Sequence, residues 1–485
     1  MQQTLLDIDL RTLNLKHPPL FNKDDHSKYV NDWRGQYKGQ AAAILKPINT
    51  EEVSAILRFA HKNNVDVVPQ GGNTSLCGAA TPDNSGRSII ISLEKMNNIR
   101  QFNKAAQTIT VESGMVLSQI HEIVENENLF FPLSLGAKGS CMIGGNLSTN
   151  AGGVNVLKYG NTRELCLGLE VVLPDGKIMN LLSELKKDNT GYDLKNIFIG
   201  AEGTLGIITA ATLKLFQLPK MISTLFVEAD TISNAIKLLN VFKSYFPDRI
   251  ESFELMPKVF WEVAKNNIEK IILPLEKMPE MGVLIDISSY SKDDTSPNEE
   301  GEIPIIKTIE NVLEECFEKN LISDATICKN ENQSKSLWSI REAAAESEKK
   351  ELEKSNLIKC LKHDISLPVE SIDDFHKDAQ NMISNFLPEL RTIYFGHLGD
   401  GNLHYNIFGN GSLPDGFKGE SQNLTNKLYE IVHKYNGSFS AEHGIGQLKK
   451  NNLKTHKNDV AYSLMKIIKN QLDPKGIMNP GKVLF

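Results

Sequence analysis

Apolar residues in the first 218 positions gather in short runs rich in β-branched side chains, separated by polar turns and glycine clusters. AAAIL (41–45), VDVVP (65–69), SIIISL (88–93), TITVESG (108–114), LGLEVVLPDG (167–176) and GIITAATLKLF (206–216) have the length and content of strands. Between the first two, Asn49 or Thr50 opens a predicted helix whose first turn holds Glu51 and Glu52, where the helix dipole favours acids. LSQIHEIVENEN (117–128) predicts a second helix. After Pro219 strands alternate with longer helical stretches at 333–355, 422–435 and 459–472. The pattern predicts an α+β protein: a helical lead-in (1–36), a ligand-binding domain (37–218), a second domain (219–440) and a C-terminal segment (441–485) that returns to the first.

The strand-rich region carries three glycine-rich joints, at 69–78, 132–160 and 200–207. The middle one, PLSLGAKGSCMIGGNLSTNAGGVNVLKYG, interleaves glycine with hydroxyls and amides and has no cation between Lys138 and Lys158. An anion held there would be held mainly by backbone N–H groups, which glycine lets approach closely. Linkers have a similar composition, but Met142, Ile143, Leu147 and Val154 are placed to anchor the run to a core. The joint at 69–78 is neither a nicotinamide-binding GxGxxG nor a P-loop.

Composition narrows the classes. A chain of 485 residues with 40% hydrophobic and 23% charged residues has room for two or three domains. A net charge of −7 gives no electrostatic reason to expect nucleic acid. Six scattered cysteines without a CxxC pair suit reduced thiols. With no secretion-type start and no apolar run near the ~18 residues of a spanning helix, no membrane span is expected, and the cytoplasm is the expected compartment.

Chemistry concentrates late in the chain. In FGHLGDGNLHYNI (395–407), a two-residue Asp400-Gly401 turn would set His397 opposite His404, with Cβ atoms ~5 Å apart, and point Asn406 to the same face. Two imidazoles so placed could grip one metal ion. Glu442, in SAEHGIGQ (440–447), could complete a His-His-Glu site, leaving His443 for proton transfer. Arg341 and Lys362 suit carboxylate recognition. A lysine leading into the apolar strand ISLPV needs an anion, and with Arg341 already present it suggests a second substrate carboxylate. A zinc hydrolase on the same His/Glu set would leave the glycine-rich joints without a role.

Together VPQGGNTSL, GSCMIGGNLSTNAGGVNVLKYGNTRE, LPDG, DNTGYDLKNIFIGAEGTLGIIT, GHLGDGNLHYN, AEHGIG and NPGK resemble the FAD-linked oxidoreductases of the vanillyl-alcohol oxidase type. Within them the chain resembles the D-2-hydroxyacid dehydrogenase branch, most of all its 2-hydroxyglutarate-oxidising members. The resemblance implies a two-subdomain FAD domain and an α+β cap domain on an antiparallel sheet. It implies that Pro69, Gly71, Gly72, Asn73, Thr74, Ser75, Pro132, Ser134, Gly144, Gly145, Asn146, Ser148, Thr149, Gly153, Glu202, Gly203, Ile208 and Asn479 line the FAD. Asn73 stands where members with covalent flavin often have histidine, so the FAD is expected to be noncovalent. His397, His404 and Glu442 match divalent-metal ligands (zinc the expected ion), His443 the base, and Arg341, Lys362 and Asn406 the substrate contacts. A small 2-hydroxy acid is the implied substrate and an electron-transferring flavoprotein the implied acceptor; a homodimer is compatible. Ala345 stands where 2-hydroxyglutarate members carry threonine, and the spacing from Arg341 to Lys362 is longer, which bears on the substrate rather than the reaction. D-lactate or glycolate is the alternative substrate.

Overall fold

The first three apolar runs become β1 (Ala43–Leu45), β2 (Val67–Gln70) and β3 (Ile89–Ser92), a parallel sheet in the order β1-β3-β2. The structure, a computed structural model, describes residues 10–269, 271–354, 359–409 and 420–485. Helix Thr50–Asn63 carries the chain from β1 to β2; Asn49 caps it by accepting the Glu52 N–H at 2.8 Å. Its Val53, Ile56, Leu57 and Ala60, at helical spacing, are buried against the sheet.

Six further strands follow: β4 (Ile99–Asn103), β5 (Thr108–Glu112), β6 (Leu129–Phe130), β7 (Cys166–Val172), β8 (Ile178–Leu181) and β9 (Ile207–Lys214). Five of them form an antiparallel sheet, β4-β5-β9-β7-β8, over a second core that includes Ile109, Ile120, Phe131, Leu147 and Leu169. β6 pairs with β10 (Phe216–Gln217). These two sheets are the halves of one compact unit comprising Met1–Gly153, Tyr159–Gln217 and Glu442–Phe485.

The other unit, Val154–Lys158 with Leu218–Ala441, is built on seven antiparallel strands. They are β11 (Met221–Glu228), β12 (Ile250–Pro257), β13 (Met281–Ser289), β14 (Asp324–Ile327), β15 (Lys359–Ser366), β16 (Arg391–His397) and β17 (Asn402–Gly409), in the order β14-β11-β13-β12-β16-β17-β15. One face is apolar: Leu225, Phe253, Leu255, Ile285, Leu403 and Tyr405 pack with residues of helices Ile232–Tyr245, Pro304–Glu318, Ile372–Phe386 and Ser421–Lys434. The other face mixes Phe226, Leu284 and Phe395, packed with Trp261 and Ile340, with a band of polar side chains. Lys158, from the glycine-rich stretch, donates to Glu251, Ser288 and Tyr290 of this unit.

Two expectations change. The helical lead-in is mostly irregular: residues 1–9 lie outside the described part, and regular turns are confined mainly to Lys23–His26 and Ser27–Val30. Pro18 and Pro19 lack the amide a helix needs, and Leu20 instead bridges to Ile44. The helical stretch 333–355 is two helices, Glu331–Glu342 and Ala344–Lys354, parted at Ala343, with residue 355 outside the described part. Among the described residues no helix is long and apolar enough to cross a membrane.

Candidate active site

In the first unit the three glycine-rich joints meet. A Cβ on Gly72 would lie 2.0 Å from the Ser140 carbonyl oxygen and one on Gly71 3.4 Å from the Met142 Cβ, so joint 69–78 rests on the turn at 140–145. Gly153, with φ of 125°, comes so close to the Ser134 carbonyl that a Cβ would fall 1.9 Å from its oxygen. The third joint is tied to helix Ile143–Thr149: the Gly200 and Glu202 amides donate to Leu147 and Ser148 carbonyls at 3.0 and 2.8 Å. Gly203 packs on Pro69, and the Asn479 amide donates to the carbonyls of Ala79 and Glu202. At Gly145, among the described residues, nothing beyond its own helix and chain neighbours lies within 4 Å of where a Cβ would be.

Several predicted contacts turn inward. The Ser148 and Thr149 hydroxyls donate to the Gly144 and Gly145 carbonyls, and Asn73 donates to the carbonyls of Asn31 and Lys28. Ser75 accepts the Ala79 N–H; Thr74 and Ser134 are half-buried, and Pro132 and Ile208 are buried. Asn146 Oδ1 and Asn479 Oδ1 are buried without a hydrogen-bond partner, which in a native fold points to a ligand or water as donor.

Glu202 is held at φ of 51° and its carboxylate serves the C-terminal segment. Its two oxygens accept the amides of Ile445 and Gly446 at 2.8 and 2.9 Å, while the Cys77 carbonyl accepts the Gln447 amide at 2.8 Å. Burial pushes the Glu202 carboxyl up to about 7, with the two amides acting against that rise. The loop so pinned begins with Glu442 and His443, whose Oε1 and Nε2 are 3.7 Å apart.

The second unit gathers the remaining candidates on the mixed face of its sheet. β16 and β17 are joined by four residues, not two: Leu398–Asp400 make a 3₁₀ turn and Gly401 alone is left-handed, at φ of 82°. A two-residue type I′ turn would need positive φ at Asp400 as well. His397 therefore pairs with Asn402, and His404 with Phe395. The histidines are diagonal neighbours, still on one face, with ring centroids 5.7 Å apart. Across the next strand pair, Asp364 lies opposite His404 and Lys362 opposite Asn406. Asn402 donates to Asp364 at 2.9 Å.

Two acids that the sequence pattern did not single out organise these groups. Glu254, fully buried on β12, accepts from His397 Nδ1 at 2.6 Å through one oxygen and from Arg341 Nε at 2.8 Å through the other. Burial opposes its ionisation, but the charges of His397 and Arg341 prevail and hold its pKa below the ordinary carboxylate value. The Arg341 guanidinium also covers the Phe395 ring, 5.0 Å from its centroid. Glu348, on helix Ala344–Lys354, is buried and accepts from Lys362 Nζ at 2.7 Å and from Asn406 Nδ2. The anion Lys362 requires is thus supplied within the chain. The available signal was an acid inside the apolar strand run IESFELMP, which burial obliges to find a partner. Ala345 is exposed.

Residues 41–182 match the FAD binding domain family, and residues 218–483 match the C-terminal domain of FAD linked oxidases. The chain belongs to the FAD-linked oxidases. It is 36% identical over 453 residues to a mitochondrial D-2-hydroxyglutarate dehydrogenase of Arabidopsis thaliana, spanning 93% of this chain and 77% of that one. To a D-2-hydroxyglutarate dehydrogenase of Stutzerimonas stutzeri (strain A1501) it is 32% identical over 477 residues, covering 98% of both. Among solved structures, p-cresol methylhydroxylase superposes with a TM-score of 0.72 at 13% identity, over 100% of this chain and 97% of that one. The fold is that of the vanillyl-alcohol oxidase type. For an FAD-linked oxidase the first unit is apt: backbone approaches, an open side at Gly145 and unpartnered buried acceptors at Asn146 and Asn479 suit a bound dinucleotide.

Proposed function

We propose that this FAD-linked oxidase converts a D-2-hydroxy acid to the 2-oxo acid, with D-2-hydroxyglutarate or D-malate as substrate. The observation that carries the reading is the clustering of His397, His404, Asn406, Lys362 and Arg341 on one sheet face of the second unit. Relatives named for D-2-hydroxyglutarate support the substrate class. FAD, held without a covalent bond by the glycine-rich joints, supplies the hydride acceptor. Arg341 turns Nε to Glu254, with Nη2 also 2.8 Å from that carboxylate, and its remaining N–H groups are proposed to take a substrate carboxylate. His443 accepts the proton of the substrate hydroxyl. Asn406 and Lys362 steady the far end of the acid. The acceptor downstream is proposed to be an electron-transferring flavoprotein.

A divalent metal, with zinc the expected ion, is proposed on His397, His404 and Glu442. Glu254 on His397 Nδ1 is the kind of partner that orients a metal-bound imidazole through its second nitrogen. Glu442 follows Ala441, whose amide donates to the Asp364 carbonyl at 3.3 Å, one strand from His404. The metal would supply positive charge that lowers the proton affinity of the substrate hydroxyl.

A second reading, a monocarboxylic acid such as D-lactate, is favoured by one observation: Lys362 is already paired with Glu348. Assay of the yellow holoenzyme with a dye acceptor should show turnover of D- but not L-2-hydroxy acids, lost on metal chelation while the flavin absorbance persists. Failure of every D-2-hydroxy acid to bleach the flavin would refute the proposal.

A further inference from the structure

We infer that Glu348 is an internal stand-in for a substrate carboxylate and sets the enzyme's selectivity between mono- and dicarboxylic 2-hydroxy acids. The inference rests on the assignment of Lys362 and Asn406 as substrate contacts. Those two side chains lie directly opposite each other on β15 and β17, one a cation and the other an amide donor. A substrate carboxylate bridging them would put one oxygen on each. Glu348 already does so: Oε2 accepts from Lys362 Nζ and Oε1 from Asn406 Nδ2. It is buried, whereas Lys362 remains partly exposed, so the pair is approached from the lysine side.

Glu348 lies seven residues after Arg341, two helical turns on, with Ala343 as the only break between the two helices. One helical stretch thus delivers both a guanidinium and, at the other end of the polar band, a carboxylate. A second carboxylate arriving at Lys362 must displace Glu348 or share the lysine with it, and two carboxylates at one site repel. A short monocarboxylic acid meets no such competitor. No covalent step is involved; the effect is on binding.

The test compares D-2-hydroxyglutarate with D-lactate in the holoenzyme and its Glu348→Gln variant. Glutamine keeps the shape and an acceptor but removes the competing charge. The ratio of kcat/KM for the diacid over that for D-lactate should rise at least about tenfold, through the KM of the diacid, as a charge-assisted contact becomes available to it. Glu348→Asp, which retracts the charge by one methylene, should raise the ratio by a smaller factor and stands in should the glutamine variant not fold. A ratio left unchanged, with both acids affected alike, would make Glu348 a merely structural acid and overturn the inference. A fall in the ratio would overturn it too, since Glu348 would then be presenting Lys362 to diacids. Thermal-shift titration with glutarate, which cannot be oxidised at a 2-hydroxyl, separates this from the functional reading: stronger glutarate stabilisation of the variant sustains the inference even if neither acid is turned over. Equal stabilisation refutes it.

Discussion

The two units prepare for ligands by different means. The first works with backbone: Gly71, Gly72 and Gly153 bring chain against chain, and the hydroxyls of Ser148 and Thr149 turn back onto their own helix. The second works with charge: Arg341 and Lys362 each come with a buried acid, Glu254 and Glu348. A backbone cradle tolerates little added volume but is indifferent to pH. A band of buried ion pairs tolerates volume changes poorly as well, and fails above all when one partner is removed. Among the glycine-rich joints of the first unit Glu202 departs from this, a buried carboxylate holding the loop of His443 by the Ile445 and Gly446 amides.

The sharpest way to break the contrast is Arg341→Met. It leaves Glu254 buried with His397 as its remaining ionic partner. Removing one member of a buried pair costs about 3–5 kcal/mol, and kcat/KM for D-2-hydroxy acids should fall by one to two powers of ten. Denaturant unfolding and steady-state kinetics check both; unaltered stability would mean the second unit does not depend on its charge pairs.

Glu202→Gln tests the exception. Glutamate starts from an ordinary value of 4.5 and is raised to about 7 in the folded chain. The folded state therefore keeps its proton after the unfolded state has lost it, and stability falls as pH rises from about 4.5 to about 7, then levels. The total is about 3 kcal/mol, from ~1.4 kcal/mol per pH unit. The glutamine variant should lack this slope, so that its stability relative to wild type improves by about that amount between pH 4.5 and pH 7.5. Denaturant unfolding at the two pH values reads it, and parallel pH profiles would contradict it.

Gly145→Ala separates cofactor from scaffold and should have the smallest effect on the fold. Among the described residues the added methyl meets nothing within 4 Å beyond its own helix and chain neighbours, and alanine in a helix is favoured over glycine by about 0.5–1 kcal/mol. The apoprotein should be slightly more stable while FAD binds at least about tenfold more weakly, the size of a 1–3 kcal/mol overpacking penalty. Unweakened FAD binding, by fluorescence titration, would show that the open side of Gly145 does not face the cofactor.

What sequence alone determined was whatever depends on neighbours along the chain. Glycine-rich joints directly after or before apolar strand runs announce close backbone approach, because only glycine permits it, as Gly72 against Ser140 shows. Helix Asp459–Leu472 and the Asn49 cap were legible for the same local reason. The lead-in is not the helix its local pattern predicts, because two prolines and the Leu20–Ile44 bridge outweigh that pattern.

What only the tertiary structure decided was partnership across the sheet. His397 and His404 share a face whether the turn has two residues or four, but which residue each opposes depends on Asp400 staying right-handed beside a left-handed Gly401. Glu254 meets His397 across 143 positions because β12 and β16 are neighbours in that register. Glu348 finds Lys362 and Asn406 because its helix covers that face. A charge carries no mark of its partner in the linear chain. The partner is chosen by strand order and by the cost of burying an ion alone, and both exist only once the sheet has formed.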